Sequence, residues 1–171
     1  MRDIAFRPLA EPDLQAVFLW LLRPHVAKWY GTAPGSFAEV VAKYGPRTVE
    51  GSAVRAFVIV AEGREAGYIQ GYRLDAFPDY AQRLGCGPDA AGLDLFIGEQ
   101  PFLGWGLGTE AIRRFAPQVV FGSLAADACL AGPVEGNAAG IRAFEKAGFR
   151  RWKVVENERG EREAVMRLDR A

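Results

Sequence analysis

The sequence is poor in metal-binding residues. It has one histidine, His25, two cysteines, Cys86 and Cys129, and no Cys-x-x-Cys pair. A closed zinc site built from cysteine and histidine needs four such ligands, so these three residues cannot complete one. The N-terminal residues also show no apolar segment of a secretory signal, so a disulfide is not expected. The composition therefore predicts a protein that uses neither a bound metal nor a disulfide.

The sequence also lacks an excess of either charge and any long apolar run. The chain has 21 basic residues, lysine and arginine, and 21 acidic ones, aspartate and glutamate, so its formal net charge is zero. Nucleic-acid binders and membrane-surface helices are usually basic. No uncharged apolar run approaches the roughly 20 residues that a membrane-spanning helix needs. We therefore expect a cytoplasmic protein that binds neither nucleic acid nor membranes. Hydrophobic residues make up 50% of the chain, which predicts one globular domain over residues 1–171.

Apolar periodicity predicts a mixture of strands and helices, and hence one α/β domain. Residues 75–90 are rich in proline, glycine and aspartate and are interpreted as a loop. Pro117 is expected to kink or shorten the helix that contains it. The predicted strands are 3–9, 56–61, 67–74, 92–97, 124–130, 152–155 and 164–168, and the predicted helices are 14–21, 37–44, 107–120 and 137–147.

A glycine-rich turn lies between a predicted strand and a predicted helix, with the sequence Gly104-Trp105-Gly106-Leu107-Gly108. Glycines let backbone N–H groups approach an anion closely, and a helix N-terminus favours negative charge. The turn is therefore a candidate phosphate cradle, with a tight turn that binds no ligand as the alternative. A dinucleotide fingerprint would need glycine at Thr109, and a Walker A loop would need a lysine that is absent.

Two segments resemble the GCN5-related N-acetyltransferase superfamily. The glycine turn resembles its pyrophosphate loop, Arg/Gln-x-x-Gly-x-Gly/Ala, with Leu103 where arginine or glutamine is usual. Residues 137–149 resemble the later motif Asn-x-x-Ala-x-x-x-Tyr-x-Lys-x-Gly-Phe, although alone they also fit a plain amphipathic helix. The resemblance implies a central mixed, mostly antiparallel sheet with two splayed parallel strands and helices on both faces. It also implies acetyl-CoA as the co-substrate and no metal.

The same resemblance implies which residues contact acetyl-CoA. Phe144 replaces the tyrosine that is thought to protonate the departing thiolate in relatives, and phenylalanine has no proton to give. Either water supplies this proton or none is needed, because a thiol with a pKa near ~8.5 leaves readily as the thiolate. The implied contacts are Leu95, Phe96, Ile97, Leu103, Gly104, Trp105, Gly106, Leu107, Gly108, Thr109, Asn137, Phe144 and Lys146.

Three further segments, 20–31, 67–72 and 92–94, resemble the aminoglycoside 6′-N-acetyltransferase branch. The resemblance implies a polycationic substrate whose 6′-amine is acetylated beside Asp94. An amine attacks a thioester only when neutral, so a nearby carboxylate can accept its proton. Asp94 lies between Leu93 and Leu95 on a predicted strand, so its side chain points away from theirs. The implied substrate contacts are Trp29, Tyr30, Tyr68, Gln70, Tyr72, Asp79, Tyr80 and Asp94.

Some of these residues have simpler interpretations. Asp94 could be a solvent-facing acid on a half-exposed strand, and Tyr68 and Tyr72 could pack in the core. His25 is expected to be a packing or capping residue. Relatives carry an aspartate where this chain has Gly132, and an acid in the last hairpin, where the register of Glu156, Glu158 and Glu161 is uncertain. One amine-binding acid is therefore expected to be missing.

Two alternative functions stay open at this point. One is acylation of another small amine, such as a siderophore precursor. The other is a non-catalytic module that binds acyl-CoA or a drug without turnover, which the departures at Leu103, Gly132 and Phe144 leave possible. The expected assembly is a monomer or a homodimer.

Overall fold

The structure is a computed structural model that describes residues 3–171. Its strands form one seven-stranded sheet in the order β1-β2-β3-β4-β5-β7-β6. β4 and β5 run parallel, whereas the pairs β1–β2, β5–β7 and β6–β7 are antiparallel. The mixed sheet predicted from the sequence is confirmed. The strands are β1 (Ile4–Pro8), β2 (Val54–Ala61), β3 (Arg64–Arg73), β4 (Ala90–Ile97), β5 (Ala128–Ala131), β6 (Arg150–Glu156) and β7 (Arg162–Asp169).

The helices connect these strands. Short 3-10 turns lie at Glu11–Asp13, Gly45–Thr48, Leu74–Ala76 and Gln100–Phe102. Within residues 3–171, no helix is both long and apolar enough to cross a membrane. The α-helices are α1 (Leu14–Leu22), α2 (Pro24–Ala27), α3 (Phe37–Tyr44), α4 (Pro78–Leu84), α5 (Leu107–Phe115) and α6 (Ala138–Lys146).

Helix boundaries follow the capping residues of the sequence. Ser36 caps α3, because its hydroxyl accepts a hydrogen bond from the Glu39 backbone N–H at 3.3 Å. Asn137 caps α6 in the same way, accepting from the N–H of Gly140 at 2.9 Å. Gly148 follows α6 with φ of +100°, a conformation that favours glycine. These ends agree with the predicted helices.

Three predicted segments differ from the structure. The predicted loop 75–90 contains α4, which begins at Pro78 and ends at Gly85 with φ of +60°. Proline and glycine are breakers inside a helix, but they are also favourable at its first turn and just past its end. The predicted helix 107–120 ends as α5 at Phe115 and continues as a π-helical segment, Ala116–Ser123, around Pro117. β5 begins only at Ala128, so residues 124–127 lie outside it.

The described chain divides into two compact units. The first unit contains the chain up to Gln70 together with Leu95–Leu107, and the second contains Gly71–Asp94 and Gly108–Ala171. Each has its own buried apolar residues. In the first unit they include Leu14, Val17, Trp20, Val40, Val58, Tyr68 and Phe96. In the second unit they include Leu84, Leu93, Ile112, Phe115, Leu130 and Met166.

The parallel pairing of β4 with β5 is short. Its register joins Ala90 to Ala128 and ends where Gly92 faces Leu130. β5 stops one residue later, at Ala131, whereas β4 continues to Ile97. Asp94 therefore lies on β4 just beyond the paired stretch, at partial exposure.

Candidate active site

Four ionisable side chains of the second unit form a group that we call the acid–phenol cluster: Asp94 of β4, Tyr72 of β3, Tyr80 of α4 and Glu163 of β7. The Tyr72 phenol donates a hydrogen bond to the Asp94 carboxylate. Burial, reinforced by the negative charges of Asp94 and Glu163, raises the pKa of both phenols well above the ordinary value. Both tyrosines therefore hold their protons at neutral pH and serve as hydrogen-bond donors.

Gly92 makes the position of Tyr72 possible. A Cβ atom at residue 92 would lie 2.4 Å from Cζ of Tyr72 and 2.7 Å from its hydroxyl oxygen. The ring thus occupies the space that any side chain at position 92 would need. Phe77 supports the ring from another side, in a T-shaped contact with centroids 5.1 Å apart. The absence of a side chain at 92 therefore lets the phenol reach Asp94, two residues further along β4.

Glu163 enters the cluster from β7. Its Oε1 accepts a hydrogen bond from Nδ2 of Asn157 at 3.1 Å. Burial is the main cause that raises the pKa of this carboxyl group, and the charge of Asp94 acts in the same direction. A Cβ atom at Gly132 would lie 2.6 Å from Oε2 of Glu163 and 3.4 Å from the hydroxyl of Tyr80. The Glu163 carboxylate thus fills the space beside the glycine.

Glu163 and Arg83 are not among the residues predicted from the sequence. The signal for Glu163 was an acid directly before the buried β7 residues Ala164, Val165 and Met166. The Arg83 guanidinium lies 5.0 Å from the centre of the Tyr80 ring, and its Nη1 is 3.4 Å from Oε1 of Glu158.

Asp79 was predicted to contact the substrate. It precedes Tyr80 on α4, and its side chain is exposed. Adjacent residues of a helix do not share a face. The structure therefore places Tyr80 in the acid–phenol cluster and Asp79 on the surface of α4.

A second polar network lies in the first unit around Gln70. Nη1 of Arg47 donates to Oε1 of Gln70 at 2.5 Å, and the Tyr68 hydroxyl donates to the same oxygen at 2.6 Å. Arg47 also covers the face of Tyr44 at 4.5 Å. Tyr68 is fully buried, so it can influence a ligand through Gln70 but cannot stack on one. Gln70 is itself buried, and its side-chain oxygen is held by these two donors.

The aromatic residues after α2 are partly exposed. Tyr30 makes a T-shaped contact with Phe96 at 4.7 Å, and Phe96 stacks on Tyr68 at 5.4 Å. The Lys28 ammonium lies 4.7 Å from the centre of the Trp29 ring. Trp29 and Tyr30 therefore retain surface for a ligand, whereas Phe96, at 6% exposed, is mainly a core residue.

Three side chains from α1, α2 and the residue between them hold the end of β4. Nε2 of His25 donates to the backbone oxygen of Ile97 at 3.0 Å. Nη1 of Arg23 donates to a Glu99 carboxylate oxygen at 3.0 Å, and the Trp20 indole N–H donates to the other at 2.8 Å. His25 has the capping role expected for it. The strand that carries Leu95, Phe96 and Ile97 is thereby fixed before the glycine turn.

The glycine turn itself has the backbone that its sequence predicts. Gly104 and Gly106 have φ of +74° and +77°, and nothing lies within 4 Å of a Cβ atom built on either. Trp105, between them, is half exposed and contacts Phe102 edge-on at 5.6 Å. Leu107 is buried and begins α5. This open turn at a helix N-terminus, with partly exposed Gly108 and Thr109 in the first helical turn, fits an anionic pyrophosphate group.

The later motif residues lie on and before α6. Oδ1 of Asn137 caps the helix, which leaves its Nδ2 group as the donor for a ligand. Phe144 is buried and packs edge-on against Phe149 at 5.1 Å. The backbone oxygen of Lys146 accepts a hydrogen bond from Nη2 of Arg113 at 2.7 Å. Their roles toward acetyl-CoA stay predictions.

A mixed sheet with a short parallel pair and a glycine turn that opens a helix are the features that the sequence resemblance implies for an acetyl-CoA-dependent acyltransferase. The family model described as "Acetyltransferase (GNAT) domain" matches residues 10–157, and the chain belongs to this family. The resemblance inferred from the sequence is confirmed, and with it N-acetyltransferase activity and acetyl-CoA as co-substrate.

Among characterised proteins, the chain is similar to the aminoglycoside N(6′)-acetyltransferase type 1 of Klebsiella pneumoniae and to that of Serratia marcescens. Each is 28% identical over 155 residues, which cover 90% of this chain and 77% of the relative. Among solved structures, the aminoglycoside acetyltransferase AAC(6′)-Ib in complex with coenzyme A superposes with a TM-score of 0.82. The two are 28% identical, over 98% of this chain and 95% of the other. The complex of the same enzyme with coenzyme A and kanamycin gives a TM-score of 0.81 at 27% identity, over 98% and 95% of the two chains.

Proposed function

We propose that the protein transfers the acetyl group of acetyl-CoA to the 6′-amine of an aminoglycoside, and so inactivates the antibiotic. The observation that carries this proposal is the acid–phenol cluster, which places two partly buried carboxylates, Asp94 and Glu163, among neutral hydrogen-bond donors. Such a group suits a compact substrate with several ammonium groups. The similarity to named aminoglycoside acetyltransferases points the same way.

In this proposal Asp94 is the catalytic carboxylate. Acetyl-CoA supplies an acyl group that is already activated as a thioester. The attacking amine arrives as an ammonium group and must lose a proton before it becomes a nucleophile. Asp94 accepts that proton directly or through one water molecule. The hydrogen bond from Tyr72 orients the Asp94 carboxylate for this transfer.

The remaining residues position the reactants. The backbone N–H groups of the glycine turn hold the pyrophosphate of acetyl-CoA, and β4 beyond Asp94 presents backbone groups to the acyl arm. Holding an amine and a thioester together supplies much of the rate in such a reaction, because it replaces an encounter in solution. Since Phe144 has no hydroxyl, the thiolate leaves unaided or takes its proton from water.

The proposed N-acetyltransferase function concerns the whole chain. We propose one acyl-CoA N-acetyltransferase domain over residues 1–171, supported by a family match that includes parts of both compact units. The proposed location is the cytoplasm. The proposed assembly is a monomer or a homodimer without nucleic-acid or membrane partners.

A second candidate substrate is a small amine that also carries a carboxylate, such as a hydroxylysine-type siderophore precursor. Arg47 favours it. This guanidinium is partly buried and donates to Tyr68 and Gln70, and among the described residues it has no carboxylate partner. A substrate carboxylate would provide one, since a buried cation is stabilised by an anionic group.

A thiol-release assay with acetyl-CoA distinguishes the candidates. The panel contains kanamycin, tobramycin, lysine-type amines with and without a carboxylate, a linear polyamine and a peptide. We expect fast release with the two aminoglycosides only. Preference for the carboxylate-bearing amines would support the second candidate. No thiol release with any compound of the panel, while calorimetry still detects acetyl-CoA binding, would contradict both candidate substrates. It would favour the non-catalytic module.

A further inference from the structure

The backbone at the end of β4 is held by side chains from outside the sheet. We call Trp20, Arg23 and His25 the strand-end clamp. Nε2 of His25 donates a hydrogen bond to the backbone oxygen of Ile97 at 3.0 Å. Nη1 of Arg23 donates to the next backbone oxygen, that of Gly98, at 3.1 Å. Two successive carbonyl groups are thus each bound by a side chain of the same compact unit.

The carboxylate of Glu99 is the third group that the strand-end clamp holds. One of its oxygens accepts from Nη1 of Arg23 at 3.0 Å, and the other accepts from the Trp20 indole N–H at 2.8 Å. The hydrogen bond from Trp20, together with the one from Arg23 and its positive charge, lowers the pKa of this carboxyl group. Glu99 is therefore ionised at neutral pH, and each of its oxygens has its own donor.

The same segment is also held from β3. The N–H groups of Gly98 and Glu99 both donate to the backbone oxygen of Ala66, at 2.8 and 3.0 Å. On the other side, a Cβ atom added to Gly98 would overlap the indole ring of Trp20. The backbone of residues 98–99 therefore lies between β3 and the strand-end clamp, with no space for a side chain at 98.

The clamped segment joins two regions that are predicted to contact acetyl-CoA. Leu95, Phe96 and Ile97 precede it, and the glycine turn begins at Gly104, six residues after Ile97. A ligand that binds both regions needs them at a fixed separation. A surface that is ordered before binding avoids the entropy cost of ordering it during binding. Fixing residues 97–99 is therefore a way to preform this surface.

We propose that Arg23 and His25 are positioning residues for acetyl-CoA, which they affect only through the backbone of residues 97–99. The inference rests on the part of the proposed function that places acetyl-CoA along the end of β4 and the glycine turn. His25, the one histidine of the chain, then serves as a donor to Ile97 and not as the base of the reaction. Loss of the strand-end clamp weakens the binding of acetyl-CoA and leaves the binding of the amine unchanged.

Calorimetry of acetyl-CoA binding to His25→Ala tests the proposal. We expect Kd to rise about three- to ten-fold, the net scale of one hydrogen bond. The KM for acetyl-CoA should rise with it, whereas the KM for the amine should stay the same. The matched control is Ser36→Ala, which removes one hydrogen bond of the same compact unit, the cap of α3. The control should lower Tm and leave Kd for acetyl-CoA unchanged.

Two further replacements of His25 separate a hydrogen bond from a packing role. The amide nitrogen of glutamine is as many bonds from Cα as Nε2 of histidine, whereas that of asparagine is one bond closer. His25→Gln should therefore recover most of the affinity for acetyl-CoA, and His25→Asn should not. A wild-type Kd in folded His25→Ala and His25→Asn would overturn the proposal, and so would an equal loss in all three variants.

Arg23→Gln tests the second half of the strand-end clamp and does not depend on how the His25 variants fold. It removes the guanidinium that binds both Gly98 and Glu99, so Kd for acetyl-CoA should rise at least as much as in His25→Ala. Thermal denaturation identifies the folded variants. A folded Arg23→Gln protein that lowers Tm but binds acetyl-CoA like the wild type would show a purely structural role and overturn the proposal.

The binding experiment separates this inference from the proposed function, because it contains no amine. If the wild-type protein acetylates no aminoglycoside and the variants still lose affinity for acetyl-CoA, the proposed substrate is wrong and the inference holds. If the wild-type protein acetylates aminoglycosides and both His25→Ala and Arg23→Gln bind acetyl-CoA as tightly as it does, only the inference fails.

Discussion

Replacing Gly92 by alanine tests how the active-site carboxylate is positioned. A Cβ atom at 92 would lie 2.4 Å from Cζ of Tyr72. Carbon atoms in contact prefer about 3.5–4.0 Å, so the ring must move by about 1 Å. Overpacking of this kind costs about 1–3 kcal/mol. For a chain of this length each kcal/mol lowers Tm by about 2–4 °C, so we expect a decrease of about 2–12 °C.

The same displacement weakens the hydrogen bond from Tyr72 to Asp94. This bond orients the carboxylate that takes the proton of the amine, and a misplacement of about 1 Å can cost about 10²-fold in rate, so its loss should lower kcat about ten-fold or more. Tyr72→Phe removes the same bond without the steric conflict. The two substitutions should therefore be non-additive in kcat, the double variant being little worse than either single variant.

Gly87→Ala is the matched control for Gly92→Ala. Residue 87 is exposed, its φ is not positive, and nothing lies within 4 Å of an added Cβ atom. We expect its Tm and kcat to stay close to those of the wild-type protein. The measurements are thermal denaturation and the thiol-release rate at saturating substrate. Equal behaviour of the 92 and 87 variants would refute the argument that Gly92 positions Tyr72.

Three further predictions concern the same chemistry. Asp94→Asn should lower kcat about 10²–10⁴-fold in the thiol-release assay while calorimetry shows unchanged acetyl-CoA affinity, and an unchanged kcat would make Asp94 structural. Gly104→Ala and Gly106→Ala should weaken acetyl-CoA binding because their φ angles are positive, whereas Gly87→Ala, at an ordinary φ outside the turn, should not. Burial raises the pKa of Glu163, so the folded protein holds this proton more tightly than the unfolded chain does. Stability should therefore fall as the pH rises above about 4, and chemical denaturation of Glu163→Gln should show a smaller fall.

Most of the fold could be predicted from the sequence, because its signals are local. The residues of α3 and its cap at Ser36 agree with the prediction, since a serine before an amphipathic stretch defines a helix start. The glycine turn was also predicted, because positive φ angles leave little choice of residue. α4 was missed because Pro78 and Gly85 were interpreted as loop residues rather than as helix boundaries.

The missed parts of the site depend on contacts between distant segments. Glu163 meets the space beside Gly132 only because β7 lies next to the segment that follows β5. Arg47 reaches Gln70 across 23 positions of sequence, and no local pattern marks it. Tyr80 belongs to a helix that was not predicted. Sequence reasoning could place Asp94 on a strand, but the donors and acids around it follow from the tertiary structure.

The measurement that tests the central proposal most directly compares two aminoglycosides that differ only at the 6′ position. One carries a 6′-amine and the other a 6′-hydroxyl, and thiol release from acetyl-CoA is followed for each. We predict fast release with the 6′-amine and none with the 6′-hydroxyl, with a product that gains one acetyl group by mass. Equal release with both compounds, or none with either while acetyl-CoA binds, would contradict the proposal that this protein is an aminoglycoside 6′-N-acetyltransferase.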